Sequence, residues 1–267
     1  MTNKVFGKLF FYSIKFKIVK FLNLILFLFK RDIRVKKEGS FYFVYSETYK
    51  LYFYLLERVD IFLSGLDSRF KKVFHEYFLD LIDFEEGDNI VDCGAHLGEI
   101  LYYFKDKKIN YFAFEPSAKL CHCIEKNISL NQNNYLTYKI VNKALLDTED
   151  KVTIYIRDET GDTSLEADSS SKSLVIDSIR LDQYFEENTS IKLLKIDAEG
   201  FEFEVLKGAE NLLSSIKFIA VDAGFEKASN TSDTFNEVNQ FLLSNGFDMQ
   251  NKNLERFTYL YVNSRIK

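Results

Sequence analysis

The run Val91-Asp92-Cys93-Gly94-Ala95-His96-Leu97-Gly98-Glu99 limits what this chain can fold into more than any other segment. Ile90-Val91 reads as the end of a strand, and two glycines then bracket a turn into a helix. Glycine accepts left-handed backbone without a Cβ penalty and lets the main chain come close to a ligand. After a second strand stands Glu115, in Phe112-Ala113-Phe114-Glu115-Pro116. About twenty residues beyond such a turn, an acid at a strand end is placed to accept hydrogen bonds from both hydroxyls of a ribose.

The surrounding pattern repeats this unit. Strands are expected at 89–93, 111–114, 138–141, 152–156, 193–196 and 218–222, with 257–262 closing the sheet. Helices are expected at 97–104, 121–130, 202–213 and 234–245. Alternating strands and helices specify an α/β fold, a mostly parallel sheet covered by helices on both faces. Upstream, 41–57 (FYFVYSETYKLYFYLLE) reads as two short strands or a hairpin around Ser46-Glu47, and 70–82 carries helical spacing. The polar stretch 158–173 reads as a loop, either a solvated connection or a lid over the acceptor.

Spacing also selects the nucleoside. A dinucleotide site needs GxGxxG to seat a pyrophosphate, whereas Gly94 here is followed by Ala95, His96 and Leu97 before Gly98. The middle glycine is missing. Asp92 at the turn would repel a pyrophosphate but suits the cationic methionine part of S-adenosylmethionine.

Taken with 114–117 (FEPS), 142–145 (NKAL), 194–208 (LKIDAEGFEFEVLKG) and 221–226 (VDAGFE), the run 91–100 (VDCGAHLGEI) resembles the FkbM-type methyltransferases, a class I S-adenosylmethionine-dependent family. The likeness extends from about Gly65 to Arg256. It implies a Rossmann-like, mostly parallel seven-stranded sheet, S-adenosylmethionine as cofactor, and methyl transfer, often to a sugar hydroxyl. It further implies that Asp92, Gly94 and Gly98 hold the methionine part and Glu115 the ribose. By the same resemblance Ser117 and Ala144 border the adenine and Asp197 sits at the donor–acceptor junction. His96 stands where the family usually carries Asn; it is read as a cofactor contact, with a base role as the alternative.

Methyl transfer is an in-line displacement, so the protein chiefly aligns atoms and excludes water, while a hydroxyl acceptor must also give up its proton. Asp197 and Glu199, on the strand-to-helix turn Lys195-Ile196-Asp197-Ala198-Glu199-Gly200, are the candidate catalytic residues. The carboxyl ends of parallel strands face the ligand crevice. A charge-stabilised helix N-terminus is the competing reading for Glu199 and Glu202, and Asp222 lines either the acceptor side or the sheet end. No close metal-ligand cluster is present, so no metal site is assigned.

Charge divides the chain. Ten Lys and Arg stand against one acid in residues 1–37, a charge of +9 in a chain whose net charge is -5, so the remainder carries -14. That balance argues against a general nucleic-acid binder. Three lysines inside any span ending at Phe29 argue against a transmembrane helix, and Lys30-Arg31 after the apolar run argues against a cleaved signal peptide. On one helical wheel, Phe10, Ile14, Ile18, Phe21, Ile25 and Leu28 form a stripe, with Lys4, Lys8 and Lys15 on another side. Such a helix either lies on an anionic membrane surface or packs on the protein's own core or a partner subunit.

The expected organisation is therefore a basic amphipathic helix at 1–37, a cap of hairpin and helix at 38–84, and a methyltransferase domain at 85–267. Cys93, Cys121 and Cys123 read as buried thiols in a reducing compartment, so a cytoplasmic location is expected, peripheral to the inner face of the cell membrane if the helix binds lipid. The expected partner is a small-molecule or glycan acceptor. Two other functions compete: a membrane-associated scaffold that keeps the fold, and an NAD-dependent dehydrogenase, which the absent middle glycine and the lack of a Tyr-x-x-x-Lys dyad in the expected region disfavour.

Overall fold

The computed structural model describes residues 3–130, 137–157, 163–164, 171–224 and 233–266. Two helices, α1 (Asn3–Lys15) and α2 (Val19–Leu28), come first. Between them Lys17 takes a left-handed φ of 51°. That turn resets the helical phase, so the single stripe expected from one wheel does not persist. Phe10, Ile14 and Ile25 are buried, whereas Ile18 and Leu28 are exposed. The side chain of Lys4 lies outside the described residues.

Next is a three-stranded antiparallel meander, β1 (Arg34–Glu38), β2 (Phe41–Tyr45) and β3 (Lys50–Phe53). β2 and β3 are the expected hairpin, and β1 adds a strand. A 3-10 segment, Leu56–Phe62, leads to α3 (Leu66–Glu76). The helix expected over 70–82 stops at Glu76, because Phe78 adopts a left-handed φ of 57° and Leu79–Leu81 is a 3-10 turn. Phe6, Leu22, Val44, Phe53 and Phe62 form one apolar cluster with Leu97, Tyr102, Leu120 and Cys123, so these first elements pack directly onto the segments that flank Gly98 and Ser117. The seam is also polar: Asn127 Oδ1 accepts from the Tyr52 amide at 2.5 Å, and its Nδ2 donates to the Leu97 carbonyl at 2.9 Å.

The remaining elements are β4 (Asn89–Cys93), β5 (Asn110–Phe114), α4 (Ala118–Leu130), β6 (Thr137–Val141), β7 (Ala144–Leu145), β8 (Lys151–Arg157), β9 (Thr163–Ser164) and β10 (Ser171–Ile179). Then come α5 (Leu181–Tyr184), β11 (Ile191–Ile196), α6 (Glu202–Gly208), β12 (Ile216–Asp222), α7 (Phe235–Ser244), β13 (Phe247–Asn253) and β14 (Thr258–Asn263). Seven strands form the main sheet in the order β13-β14-β12-β11-β4-β5-β6. β12 through β6 run parallel, and β14 and β13 are antiparallel. This is the class I methyltransferase architecture.

Its central strands alternate faces. Ile90, Leu193 and Ala220 enter one apolar cluster, while their neighbours Val91, Leu194 and Ile219 enter the other. A strand buried on both sides reads as a continuous apolar run, as Phe218–Val221 of β12 does. Each such Leu or Ile contributes about 1.5–3 kcal/mol on burial. The chain starts the sheet at β4, builds outward to β6, and returns to β11 on the other side of β4. That reversal makes the β4–β11 boundary the topological switch point, where open α/β sheets bind ligands.

Four expectations differ in detail. The strand at 152–156 is β8, which leaves the main sheet to pair antiparallel with β10 in a separate sheet of order β7-β10-β8-β9; the seventh place goes to β13. Part of the polar stretch 158–173 is strand, since β9 pairs with β8 and β10 begins at Ser171; the rest lies outside the described residues. The helix at 97–104 is a 3-10 segment, Glu99–Phe104. The helix at 202–213 ends at Gly208, where a Cβ would lie 2.1 Å from the Leu146 carbonyl oxygen, and Glu210–Ser215 continues as 3-10.

Candidate active site

The C-terminal ends of β4 and β11 meet where the sheet reverses. Gly94, at φ 69°, hangs its amide on the Phe114 carbonyl at 3.0 Å, so the glycine turn is stitched to the end of β5. A Cβ on Gly94 would stand 1.9 Å from the Asp197 carbonyl oxygen. Only glycine lets the two strand ends close against each other. Gly98, at φ 73°, serves packing instead: its Cβ would meet Leu101 Cδ1 at 2.8 Å and Ile124 Cγ2 at 3.3 Å.

Glu115 is buried, and its carboxylate is aimed by two main-chain donors. The His96 amide donates to Oε2 at 2.9 Å and the Ser117 amide to Oε1 at 2.9 Å. Burial pushes its pKa up to about 7, with the two amides and His96 opposing the rise. Each oxygen keeps capacity for a further donor.

Asp92 is also buried, and its charge is already answered: Lys195 Nζ sits 3.0 Å from Oδ1, and the Tyr111 hydroxyl donates to Oδ2. The pairing comes from register, since Asp92 and Lys195 are neighbours across β4 and β11. Lys195 donates further to the carbonyls of Cys93 at 3.1 Å and Gly94 at 2.8 Å, tying the glycine turn to β11.

Asp197 lies just past the end of β11. Its Oδ2 accepts from the Tyr77 hydroxyl at 2.5 Å, with Arg256 Nη2 at 3.6 Å and Lys195 Nζ at 3.9 Å. Burial alone would raise its pKa, but the two cations hold it below the ordinary Asp value. Behind it Arg256 Nε pairs with Asp222 Oδ2 at 2.8 Å. Burial and the Asp197 charge push Asp222 up to about 8. Two carboxylates and one guanidinium thus divide their charge unequally, with the ionised acid nearer the opening.

Glu202 has a structural post. Its Oε1 accepts from the amides of Ala198 at 3.2 Å and Gly200 at 2.9 Å, and its Oε2 from the Thr234 hydroxyl at 2.8 Å. It braces the turn that presents Asp197 and Glu199. Glu199 itself takes a left-handed φ of 51°. Arg69 holds Glu99 through a two-pronged contact at 2.6 and 2.8 Å, and this keeps Glu99 well below the usual carboxylate range despite its burial.

Most of these groups line one cavity of about 290 Å³, while Asp222 and Glu202 stand behind its wall. Of the residues singled out in the sequence, Asp92, Gly94, His96, Glu115, Ala144, Asp197 and Glu199 line it. Gly98 and Ser117 are not lining residues: Gly98 packs behind the turn, and Ser117 reaches the cavity only through the amide that orients Glu115. Pro116, Leu120, Leu145 and Leu146 supply an apolar side. The sequence reading missed Arg58, Arg69, Tyr77, Glu99 and Arg256 as lining residues. Glu99 was within reach, because it ends the glycine run; the others come from the cap and the β13–β14 turn, which no local spacing ties to β4. Among the described residues no three His, Cys, Asp or Glu side chains gather as a metal-holding group. The three cysteines are buried and their thiol pKa values are pushed up by burial.

A family model described as the methyltransferase FkbM domain matches residues 92–249, more than half of the chain. The methyltransferase sdnD of Sordaria araneosa is 26% identical over 184 residues, covering 55% of this chain and 71% of that protein. A solved SAM-dependent methyltransferase from Aquifex aeolicus is 14% identical, with a TM-score of 0.44 and coverage of 73% of this chain and 96% of that one. Magnesium protoporphyrin IX methyltransferase from Synechocystis PCC 6803, solved with bound SAM, is 10% identical, with a TM-score of 0.45 and coverage of 74% and 79%.

Proposed function

The chain belongs to the FkbM methyltransferase family and is an S-adenosylmethionine-dependent methyltransferase, and from that premise we propose that it methylates a sugar hydroxyl in a glycan, surface polysaccharide or related metabolite. The residues at the switch point fit the cofactor. Gly94 lets the ends of β4 and β11 close together beneath the cavity, Glu115 presents two oriented oxygens, and Leu145 and Leu146 offer an apolar wall beside Ala144. When bound, S-adenosylmethionine supplies an electrophilic methyl group on a sulfonium.

In this reading Glu115 accepts from both ribose hydroxyls, while Ala144 and the Ser117 segment border the adenine. Asp92, Gly94, Gly98 and His96 shape the turn around the methionine part, Asp92 and Gly98 from behind. Asp197, beside Gly94 at the cavity opening, receives the acceptor hydroxyl and takes its proton as the new C–O bond forms. Its lowered pKa is no obstacle, because an oxygen that has gained a methyl group while still protonated is a far stronger acid than a carboxylic acid. Its task is position, which Tyr77 and Arg256 fix. Glu199, on the same turn, is the second carboxylate available to the acceptor.

The observation that carries this reading is the ionised Asp197 held at the cavity by Tyr77, 120 residues away in sequence. Many polar side chains share that wall, among them Arg69, Glu76, Glu99 and Glu199, as a polyhydroxyl acceptor requires. The test is transfer of a labelled methyl group from S-adenosylmethionine to a panel of sugars and lipid-linked sugars. Methylated sugar, lost in Asp197→Asn while cofactor binding persists, is the expected outcome. Binding of the cofactor with no methylation of any acceptor would favour the scaffold reading.

A further inference from the structure

Residues 5–28 hold most of the exposed large apolar side chains among the described residues, and this outer face of the α1–α2 pair is also strongly basic. We propose that it docks the protein on an anionic lipid bilayer, with both helices lying flat in the headgroup region. Phe11, Phe16 and Phe27 are 67%, 55% and 65% exposed, and Tyr12, Leu24 and Leu28 are each more than half exposed. The opposite faces of the same helices bury Phe6, Phe10, Leu22, Ile25 and Leu26 in the core. The exposed rings are therefore not an unfolded remainder: the helices are anchored by one face and hold the other outward.

Periodicity gathers the two kinds of side chain. At about 3.6 residues per turn, Lys8, Phe11, Tyr12 and Lys15 share the outer face of α1, with Phe16 just past its end, and Lys20, Leu24, Phe27 and Leu28 share that of α2. Tyr12 joins the two, its ring 4.6 Å from Phe16 and 6.3 Å from Phe21. The only acid in residues 1–37 is Asp32. Charge complementarity selects the occupant. Lysines interleaved with aromatic and leucine side chains match a surface that is anionic at the headgroups and apolar just beneath, where rings insert and lysine stems snorkel. A nucleic acid would answer the lysines and leave the phenylalanines wet. A protein partner would have to bury the exposed lysines. Among the described residues no helix is long and apolar enough to cross a membrane, so contact is in the plane.

The docked face is mechanically close to the site. α1 packs on Leu56–Phe62, whose Arg58 and Ile61 line the cavity, and Lys17 Nζ lies 3.9 Å from Glu57 in that segment. Docking would place the cavity wall one layer of structure from the headgroups, within reach of a sugar borne by a lipid. This last step rests on the proposed sugar acceptor; the docking itself does not.

The experiment is co-sedimentation of the full chain with vesicles of phosphatidylcholine alone or with one third phosphatidylglycerol. Two variants accompany it, Lys8→Glu/Lys15→Glu/Lys20→Glu and Phe11→Ser/Phe16→Ser/Phe27→Ser, all at exposed positions. Calorimetric binding of S-adenosylhomocysteine reports separately on the fold and on the cofactor site. The expected result is binding at least about tenfold tighter to the anionic vesicles, falling with salt, and lost in both variants while S-adenosylhomocysteine binding stays unchanged. No vesicle binding by the wild type, or equal binding by both variants, would overturn the proposal. So would a solution dimer that the serine variant dissolves, or binding to an RNA oligonucleotide in place of vesicles. Failure to bind S-adenosylhomocysteine in every form would instead refute the cofactor reading.

Discussion

At the scale of single residues, the buried Glu115 and the half-buried Asp197 are opposite uses of an acid at the cavity. At Glu115 burial outweighs the opposing amides of Ser117 and His96 and the charges of His96 and Lys195, so its pKa rises to about 7, and cofactor binding inherits that titration. Below that pH the carboxylate gains a proton and loses acceptor capacity for the ribose. S-adenosylhomocysteine affinity is therefore expected to fall as pH drops from 8 to 6 and to be nearly flat in Glu115→Gln, as calorimetry across that range would show. Asp197 is held ionised by Lys195 and Arg256. Replacing it with Asn is expected to lower kcat by about 10²–10⁴ and to change cofactor affinity little, measured by methyl-transfer kinetics. The place of both acids was legible in the sequence, because each directly follows a strand of recognisable pattern, Glu115 after Phe112-Ala113-Phe114 and Asp197 after Leu194-Lys195-Ile196. Tyr77 and Arg256 were not. Nothing in a helix at 66–76 or a turn at 254–257 announces that they meet at Asp197; that meeting is decided by how the end of α3 and the β13–β14 turn come together beside β11.

At the scale of elements, the β4–β11 junction depends on a lysine that the sequence reading left without a role. Lys195 neutralises Asp92 and holds the carbonyls of Cys93 and Gly94. Lys195→Met would strand the buried Asp92 carboxylate and is expected to cost about 3–5 kcal/mol in urea unfolding, with cofactor binding lost alongside. Asp92→Asn in the same background should recover part of that stability. Strand positions were readable because both faces of the sheet are buried and apolar residues dominate β4, β5, β11 and β12 on both. Element ends were less so. The turn at Lys17, the left-handed Phe78 and the close approach of Gly208 to Leu146 are contacts or backbone choices with no periodic signature. β8 was read as a strand but assigned to the wrong sheet, since pairing with β10 depends on residues about twenty positions later.

At the scale of the whole molecule, the site is built at some expense to stability, and pH exposes it. Glu115 and Asp222 bind protons more tightly in the folded state, at about 7 and about 8, than in the unfolded chain. Their contribution is fully present below their unfolded pKa values and is lost as pH rises toward 7 and 8. Glu99 and Asp197 have lowered values, so their contribution is lost as pH falls below about 4. Thermal unfolding is therefore expected to show a maximum near about pH 5, and the Asp222→Asn variant should lose less stability between pH 5 and 8 than the wild type does.

The central claim is that the Gly94–Glu115 crevice binds S-adenosylmethionine. Calorimetric titration of the wild type and Glu115→Ala with S-adenosylhomocysteine at pH 8 tests it most directly. The expected result is one site per chain, weakened at least about tenfold in the variant through loss of hydrogen bonds to a charged group. Wild-type protein that binds nothing, or a variant that binds equally well, would contradict it.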